Sequence, residues 1–369
     1  MRKEITINDH VIGPGHPTYI IAEMSANHGQ SFDRAVELVH AAKEMGADAI
    51  KLQTYTADTM TIACDREEFR VGKGTLWAGK TLYELYKEAY TPWDWQPKLK
   101  NIANGLGMDL FSTPFDSTAV DFLEDMEVPA YKIASFELVD IPLIRRVART
   151  EKPVILSTGM GSVEEIQEAV NAVRNEGNNQ MILLKCTSAY PAEPKEMHLR
   201  TIPDMAQRFG MLIGLSDHSL GTAVPLHAVA LGACVIEKHF CLSRSEPGPD
   251  SAFSLEPHEF KEMVHAIRNR EQRADVQDAL DETILGNVQY GALGEDRKSL
   301  QFRRSIFAVK DIAKGENLTE ENIRIIRPAG GLEPKVFPEV LNRKAKCSIK
   351  RGTPLSAKHL SLLVAPTKI

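Results

Sequence analysis

Between about residue 18 and residue 240 the chain alternates short apolar runs with amphipathic stretches. Eight runs read as strands: 19–25, 49–55, 109–115, 130–135, 153–158, 181–186, 212–216 and 235–240. Most are apolar until their last residues, the pattern of parallel strands covered on both faces. Helical patterns lie between them. Apolar residues at 32, 35, 36, 38, 39, 41, 42 and 45 mark one face of a helix that Gly46 ends. Ser162 and Glu165 form a capping-box pattern ahead of a helix over 163–174. Further helices are expected over 222–231, ending at Gly232, and over 257–270 after Glu256. Eight βα units in one run predict a closed (β/α)₈ TIM barrel in preference to an open doubly wound sheet.

The pattern breaks in two places. About 35 residues separate Tyr55 from the helix near Trp93, a length uncommon for a structureless loop, and 81–87 reads as a short helix inside it. Past residue 273 the chain turns polar without an apolar face, so 1–273 reads as the barrel domain and 274–300 as a linker. Residues 301–369 carry short strands over 305–309, 322–327, 347–349 and 359–363, a small β-rich second domain.

Composition narrows the classes. At 43% apolar and 25% charged residues the chain is an ordinary globular one. A net charge of −6 weighs against a nucleic-acid partner. Five cysteines, none in a C-x-x-C pair, weigh against a disulfide framework or a cysteine zinc site and suit a reducing cytoplasm. The start, Met1-Arg2-Lys3-Glu4-Ile5, has no apolar core, and no run approaches about 18 apolar residues, so no secretory signal or membrane span is expected.

The predicted strands share one habit: they end in polar residues. In order these are Glu23, Ser25, Asn27 and His28; Lys51 and Gln53; Ser112 and Thr113; Lys132, Ser135 and Glu137; Ser157 and Thr158; Lys185, Thr187 and Ser188; Ser216, Asp217 and His218; and Glu237, Lys238 and His239. In a (β/α)₈ barrel all these ends meet on one face, where active sites are built. Any one of them has a packing explanation, and Lys51 and Glu23 suit an internal ion pair. Eight strands doing this together do not read as packing. Alternation turns Lys185 and Lys238 elsewhere, and Cys186 and Cys241 read as core. His218 and His239, on adjacent strands, suit a divalent metal such as Mn²⁺, Co²⁺ or Zn²⁺ with open positions for oxygen ligands. Lys51 and Lys132 with Thr113, Ser135, Ser157 and Ser216 suit a phosphate and a carboxylate held together, as on phosphoenolpyruvate. No P-loop or dinucleotide-binding fingerprint occurs.

Seven motifs, in order, resemble the sialic acid synthase family. They are Ala22-Glu23-Met24-Ser25-Ala26-Asn27-His28, Lys51-Leu52-Gln53, Ser112-Thr113-Pro114-Phe115, Tyr131-Lys132-Ile133-Ala134-Ser135, Leu156-Ser157-Thr158-Gly159, Leu215-Ser216-Asp217-His218 and Glu237-Lys238-His239-Phe240. The C-terminal part resembles that family's antifreeze-like (SAF) domain. The resemblance implies condensation of phosphoenolpyruvate with an open-chain acetamido sugar, releasing phosphate and giving a nine-carbon 2-keto sugar acid. It implies that His218 and His239 hold Mn²⁺ or a similar ion, with Mg²⁺ or Co²⁺ as substitutes. It further implies phosphoenolpyruvate contacts at Lys51, Thr113, Lys132, Ser135, Ser157 and Ser216. Glu23 is implied near the reacting end of the sugar, with Gln53, Glu137, Tyr190 and Asp250 on the sugar side. Arg327 is implied to reach the acetamido group from a partner subunit, in a domain-swapped homodimer.

Within the family, Ala22-Glu23-Met24-Ser25-Ala26-Asn27-His28-Gly29-Gln30 and Cys186-Thr187-Ser188-Ala189-Tyr190-Pro191 depart from the N-acetylneuraminate and legionaminate branches and resemble the pseudaminic acid branch. The expected sugar is then 2,4-diacetamido-2,4,6-trideoxy-L-altrose. A metal-dependent aldolase or hydrolase would not need the phosphate cradle, and a non-catalytic carbohydrate-binding protein would not need so polar a barrel mouth. Lys314, Glu316, Arg324 and Arg327 give the second domain a charged surface unlike an ice-binding face.

Overall fold

A computed structural model of the chain describes residues 4–72, 78–246, 248–272 and 280–361. It divides into two compact units. The first comprises Met1–Tyr55, Glu88–Leu138 and Leu143–Leu300; the second comprises Thr56–Lys87, Val139–Pro142 and Gln301–Ile369.

The first unit opens with an antiparallel hairpin that the hydrophobic pattern did not announce, β1 (Ile5–Ile7) and β2 (His10–Ile12). Eight parallel strands follow: β3 (Tyr19–Glu23), β4 (Ala49–Thr54), β5 (Asp109–Pro114), β6 (Tyr131–Ile133), β7 (Val154–Ser157), β8 (Met181–Cys186), β9 (Leu212–Asp217) and β10 (Val235–His239). Each pairs with the next and β10 pairs with β3, which closes the barrel. All eight expected runs are strands, with ends within two residues of those predicted. Gln53 apart, every residue of the eight is buried, because helices cover the outside and side chains fill the inside. That double burial is why the runs read as continuous apolar stretches.

The helices start at capping residues, the expected Ser162–Glu165 box among them. Ser31 accepts from the backbone of Arg34 ahead of Phe32–Glu44, and Ser162 and Glu165 complete a capping box ahead of Val163–Asn175. The hairpin is tied to the start of β5. Asp109 accepts from Asn8 Nδ2 at 2.6 Å and from Tyr19 Oη at 2.7 Å, and lies 3.0 Å from His10 Nδ1.

The stretch expected as a linker is anchored to the barrel over its described part. Leu199 and Arg200 donate their N–H groups to the carbonyls of Ile284 and Leu285, and Gly291 donates to Gly161 O at 2.8 Å. Backbone hydrogen bonds and the buried Ile284 and Leu285 hold it, without a periodic apolar face. The expected boundary at 273–274 lies outside the described residues.

In the second unit β11 (Ser305–Ala308) pairs antiparallel with β12 (Ile323–Ile326) over a small core that includes Ile306, Ile312, Leu318 and Ile349. The long insertion after Tyr55 belongs here. Its Ile62 and Phe69 pack with Phe307, Val309 and Ile326, which accounts for its length and apolar content. Among the described residues no helix is long and apolar enough to cross a membrane.

Candidate active site

The strand ends of the barrel bring four charged side chains into one buried cluster. Register sets Glu23 beside Lys51 and His239 beside Glu23. Lys51 Nζ is ion-paired with Glu23, lies 3.8 Å from Glu237 Oε1, and donates to Thr113 Oγ1 at 3.3 Å. Lys132 Nζ lies 3.4 Å from Glu237 Oε1, to which Ser216 Oγ also donates. Two lysines and two glutamates balance, which is what makes their burial tolerable.

Burial, helped by Glu237, pushes the Glu23 carboxyl above its ordinary range against the pull of Lys51. Burial opposes the charge on Lys51 too, but Glu23 and Glu237 outweigh it and raise that pKa. Lys132 is lowered by burial, with Glu237 opposing. Burial also works against the charge on Glu237, yet Lys132 and Lys51 prevail and lower its pKa. Glu23 is therefore the carboxyl of this set best placed to take or give a proton.

A chain of hydrogen bonds leads outward from Glu23. Gln53 Nε2 donates to Glu23 Oε1 at 2.9 Å and to Ser25 Oγ at 2.8 Å, and Ser25 Oγ donates to Asp250. Ser25 has a φ of 46°, in the left-handed region, at the turn that leaves β3. Burial raises the Asp250 pKa. Three expected residues, Glu23, Gln53 and Asp250, thus form one polar line.

The two histidines sit together, with ring centroids 5.4 Å apart. His218 Nδ1 is 2.9 Å from the Thr187 carbonyl, which can only accept, so Nδ1 carries the proton and Nε2 is the nitrogen that remains. Burial opposes a charge on His218, but Cys186 and the Thr187 carbonyl outweigh it and raise its pKa. Burial, with His218 and the lysines behind it, pushes His239 well down, and among the described residues its Nδ1 is buried without a hydrogen-bond partner. Tyr190 lies over His218 at 4.3 Å between centroids, and Phe253 meets His239 edge-on at 4.9 Å.

This donor set fits a divalent cation. It offers two imidazoles, one with an unpartnered buried nitrogen, beside a carboxylate strand end. Among the described residues no third His, Cys, Asp or Glu completes a cluster, so water and substrate oxygens would supply the remaining ligands.

Ser135 Oγ accepts from Gly159 N–H at 3.1 Å, and Ser157 Oγ is buried with no hydrogen-bond partner among the described residues. Glu137 is buried on the 3₁₀ turn Ser135–Glu137 that follows β6. Arg327 belongs to the second unit, where its Nη1 donates to Tyr86 Oη at 3.1 Å and its guanidinium lies 5.7 Å from the Tyr86 ring centroid.

Lys238 turns away from the cluster and pairs with Asp217, and Lys185 Nζ donates to Cys186 O at 3.1 Å, both as alternation predicts. The same alternation puts Glu237 on the face of His239, and that signal identifies Glu237 as part of the cluster although it was not among the predicted site residues. Phe253 carried no signal; only the folded loop brings it to the histidines.

The NeuB family profile matches residues 38–278, and the SAF domain profile matches residues 303–361. The pseudaminic acid synthase of Helicobacter pylori is 45% identical over 350 residues, covering 92% of this chain and 97% of that protein. The pseudaminic acid synthase of Campylobacter jejuni is 44% identical over 338 residues, covering 91% and 95%. Among solved structures, the spore coat polysaccharide biosynthesis protein SpsE of Bacillus subtilis superposes with a TM-score of 0.84 at 33% identity, over 97% of this chain and 99% of that one.

Proposed function

The chain belongs to the NeuB family, and from that premise we propose that it is a pseudaminic acid synthase. It condenses phosphoenolpyruvate with 2,4-diacetamido-2,4,6-trideoxy-L-altrose and water, giving pseudaminic acid and phosphate. The observation that carries this reading is the match to two pseudaminic acid synthases along nearly the whole of both chains, with the barrel-mouth cluster in between.

The geometry supports a division of labour. Lys51 and Lys132 face the phosphate and carboxylate of phosphoenolpyruvate, and Thr113, Ser135, Ser157 and Ser216 supply hydroxyl donors. The unpartnered Ser157 hydroxyl is an opening of the kind such an oxygen fills. Gln53, Asp250, Glu137 and Tyr190 line the sugar side.

The enol carbon attacks the sugar aldehyde, forming the new C–C bond while the aldehyde oxygen takes a proton. Water adds to the resulting oxocarbenium carbon and gives up a proton. The tetrahedral intermediate then expels phosphate, leaving the 2-keto acid. Glu23, its pKa raised by burial and held by Lys51 and Gln53, moves a proton at the aldehyde oxygen. Mn²⁺ is the cation proposed for His218 and His239, with Mg²⁺ or Co²⁺ as substitutes; bound there, a divalent ion supplies Lewis acidity to the aldehyde. The enzyme is proposed to act in the cytoplasm as a domain-swapped homodimer, with the partner subunit's Arg327 reaching the acetamido group.

Phosphate release from phosphoenolpyruvate, after chelator treatment and Mn²⁺ add-back, tests this. Turnover of the diacetamido sugar alone, restored by metal, is the expected result. Preference for N-acetylmannosamine reassigns the sugar. No release with either leaves a non-catalytic carbohydrate-binding protein or another barrel chemistry.

A further inference from the structure

Ser188, fully buried in the loop after β8, has both its backbone polar groups taken by side chains far along the sequence. Its N–H donates to Asp296 Oδ1 at 2.7 Å, and its carbonyl accepts from Ser299 Oγ at 2.5 Å. Asp296 and Ser299 are the ends of the short helix Asp296–Ser299, and both are buried. The loop they grip is tied to His218 three times. Thr187 O accepts from His218 Nδ1, the Tyr190 ring packs against the His218 ring at a tilt of 40°, and Ala192 N–H donates to His218 O at 3.0 Å.

The Thr187 carbonyl and the Ser188 N–H belong to one peptide group, planar and rigid. Asp296 therefore holds one end of the unit whose other end holds His218. Tilting that plane breaks both hydrogen bonds at once. A carboxylate accepting at the N–H also polarises the amide and strengthens the carbonyl as an acceptor, since linked hydrogen bonds reinforce one another.

We propose that Asp296 is a positioning residue for His218, acting through the Thr187–Ser188 peptide group to keep the proton on Nδ1 and leave Nε2 as the nitrogen that binds. Ser299 steadies the next peptide. The proposal takes from the functional reading only that His218 serves the reaction; the relay itself does not depend on which sugar or metal is used.

Removing the Asp296 carboxylate leaves a buried backbone N–H without its acceptor, a loss that no change of rotamer repairs. The peptide plane then turns and the Thr187 carbonyl leaves His218. Ligand-orienting groups of this kind are typically worth about 10–100-fold in metal affinity.

The test uses full-length protein labelled with ¹⁵N at histidine. The His218 ring nitrogens are read without added metal at alkaline pH, followed by Mn²⁺ titration and kinetics. The expected result is the Nδ1–H form in the parent protein and in Asp296→Asn, which keeps an acceptor oxygen, and its loss in Asp296→Ala. Mn²⁺ affinity should fall about 10–100-fold in Asp296→Ala and less in Asp296→Asn. The kcat should drop while the KM for phosphoenolpyruvate stays within about threefold, because the loop after β8 carries none of the cradle residues. An unchanged tautomer and unchanged Mn²⁺ affinity in Asp296→Ala would overturn the proposal. If that variant does not fold, Asp296→Asn against Ser299→Ala decides: Mn²⁺ affinity must fall more in the first, and equal affinities reject the relay. A parent protein that releases no phosphate would count against the proposed function, while the nitrogen shifts would still judge the relay.

Discussion

Gly159 donates its N–H to Ser135 Oγ at 3.1 Å and leaves that hydroxyl no room for a side chain. A methyl group on its Cα would lie 2.7 Å from Ser135 Oγ, and nearer still to Ser188 Oγ. The loop after β7 and the loop after β8 thus meet at this glycine. Gly159→Ala must push Ser135 and Ser188 apart, at a cost of about 1–3 kcal/mol for overpacking. Since Ser135 is proposed to contact phosphoenolpyruvate, its KM should rise more than the sugar's. Thermal melts and steady-state kinetics check both; an unshifted melt and parent-like KM values would show that the loops yield freely.

Glu237 balances two lysines. Lys51 and Lys132 both reach it, and Glu23 alone cannot neutralise the pair. Glu237→Leu should therefore destabilise the barrel by about 3–5 kcal/mol, the cost of leaving a buried charge unpaired. Phosphoenolpyruvate is proposed to bring its anionic groups to the same lysines, so it should raise the Tm of this variant more than that of the parent. Calorimetry with and without ligand reads this, and equal ligand shifts would place the substrate elsewhere.

The barrel was legible in the sequence because parallel strands buried on both faces leave long apolar runs, and because active-site residues must sit where those runs end. That logic picks out Glu23, Lys51, Lys132, Ser216, His218 and His239 as candidates, and the fold brings them to one mouth. Alternation separates Lys238 from Glu237, but it cannot by itself show that Glu237 is the carboxylate that balances both Lys51 and Lys132. The hairpin at Ile5–Ile12 was not legible, since three-residue strands show no period. Asp296 was not legible either: its partner Ser188 is 108 residues away, and a polar stretch held by backbone hydrogen bonds looks like a linker.

His28 looks like a site residue in the sequence but serves the scaffold. Its Nδ1 accepts from Gln30 N–H, its Nε2 lies 3.1 Å from Thr91 Oγ1, and Trp95 packs edge-on against the ring. Burial lowers its pKa from 6.5 to about 4. The unfolded chain therefore binds this proton more readily than the folded one between those values. The stability His28 confers is full above about pH 6.5 and is lost as pH falls toward 4, on the order of 3 kcal/mol. Urea unfolding of the parent and of His28→Gln across that range should show the shallower acid loss in the variant. Parallel curves would mean that other groups set the acid limit.

Arg327 is the residue whose proposed role needs a second copy of the chain. Its guanidinium is held by Tyr86 within its own unit, which fixes its fork before any ligand arrives. Arg327→Ala should raise the KM for sugar more than tenfold on the order expected for a charged hydrogen bond, with little change for phosphoenolpyruvate. Arg327→Lys should not rescue it, because an ammonium lacks the planar fork. Mixing settles whether the arginine acts across subunits. Assayed at sugar concentrations well below the raised KM, Arg327→Ala chains should be nearly silent and His239→Ala chains inactive, but a hybrid dimer would contain one barrel with its own His239 and the other chain's Arg327. After unfolding and co-refolding in equal amounts, half the dimers are hybrids with one complete site each, so roughly a quarter of the parent activity should return. No recovery, with dimers demonstrably formed, would mean that each barrel uses its own arginine or none.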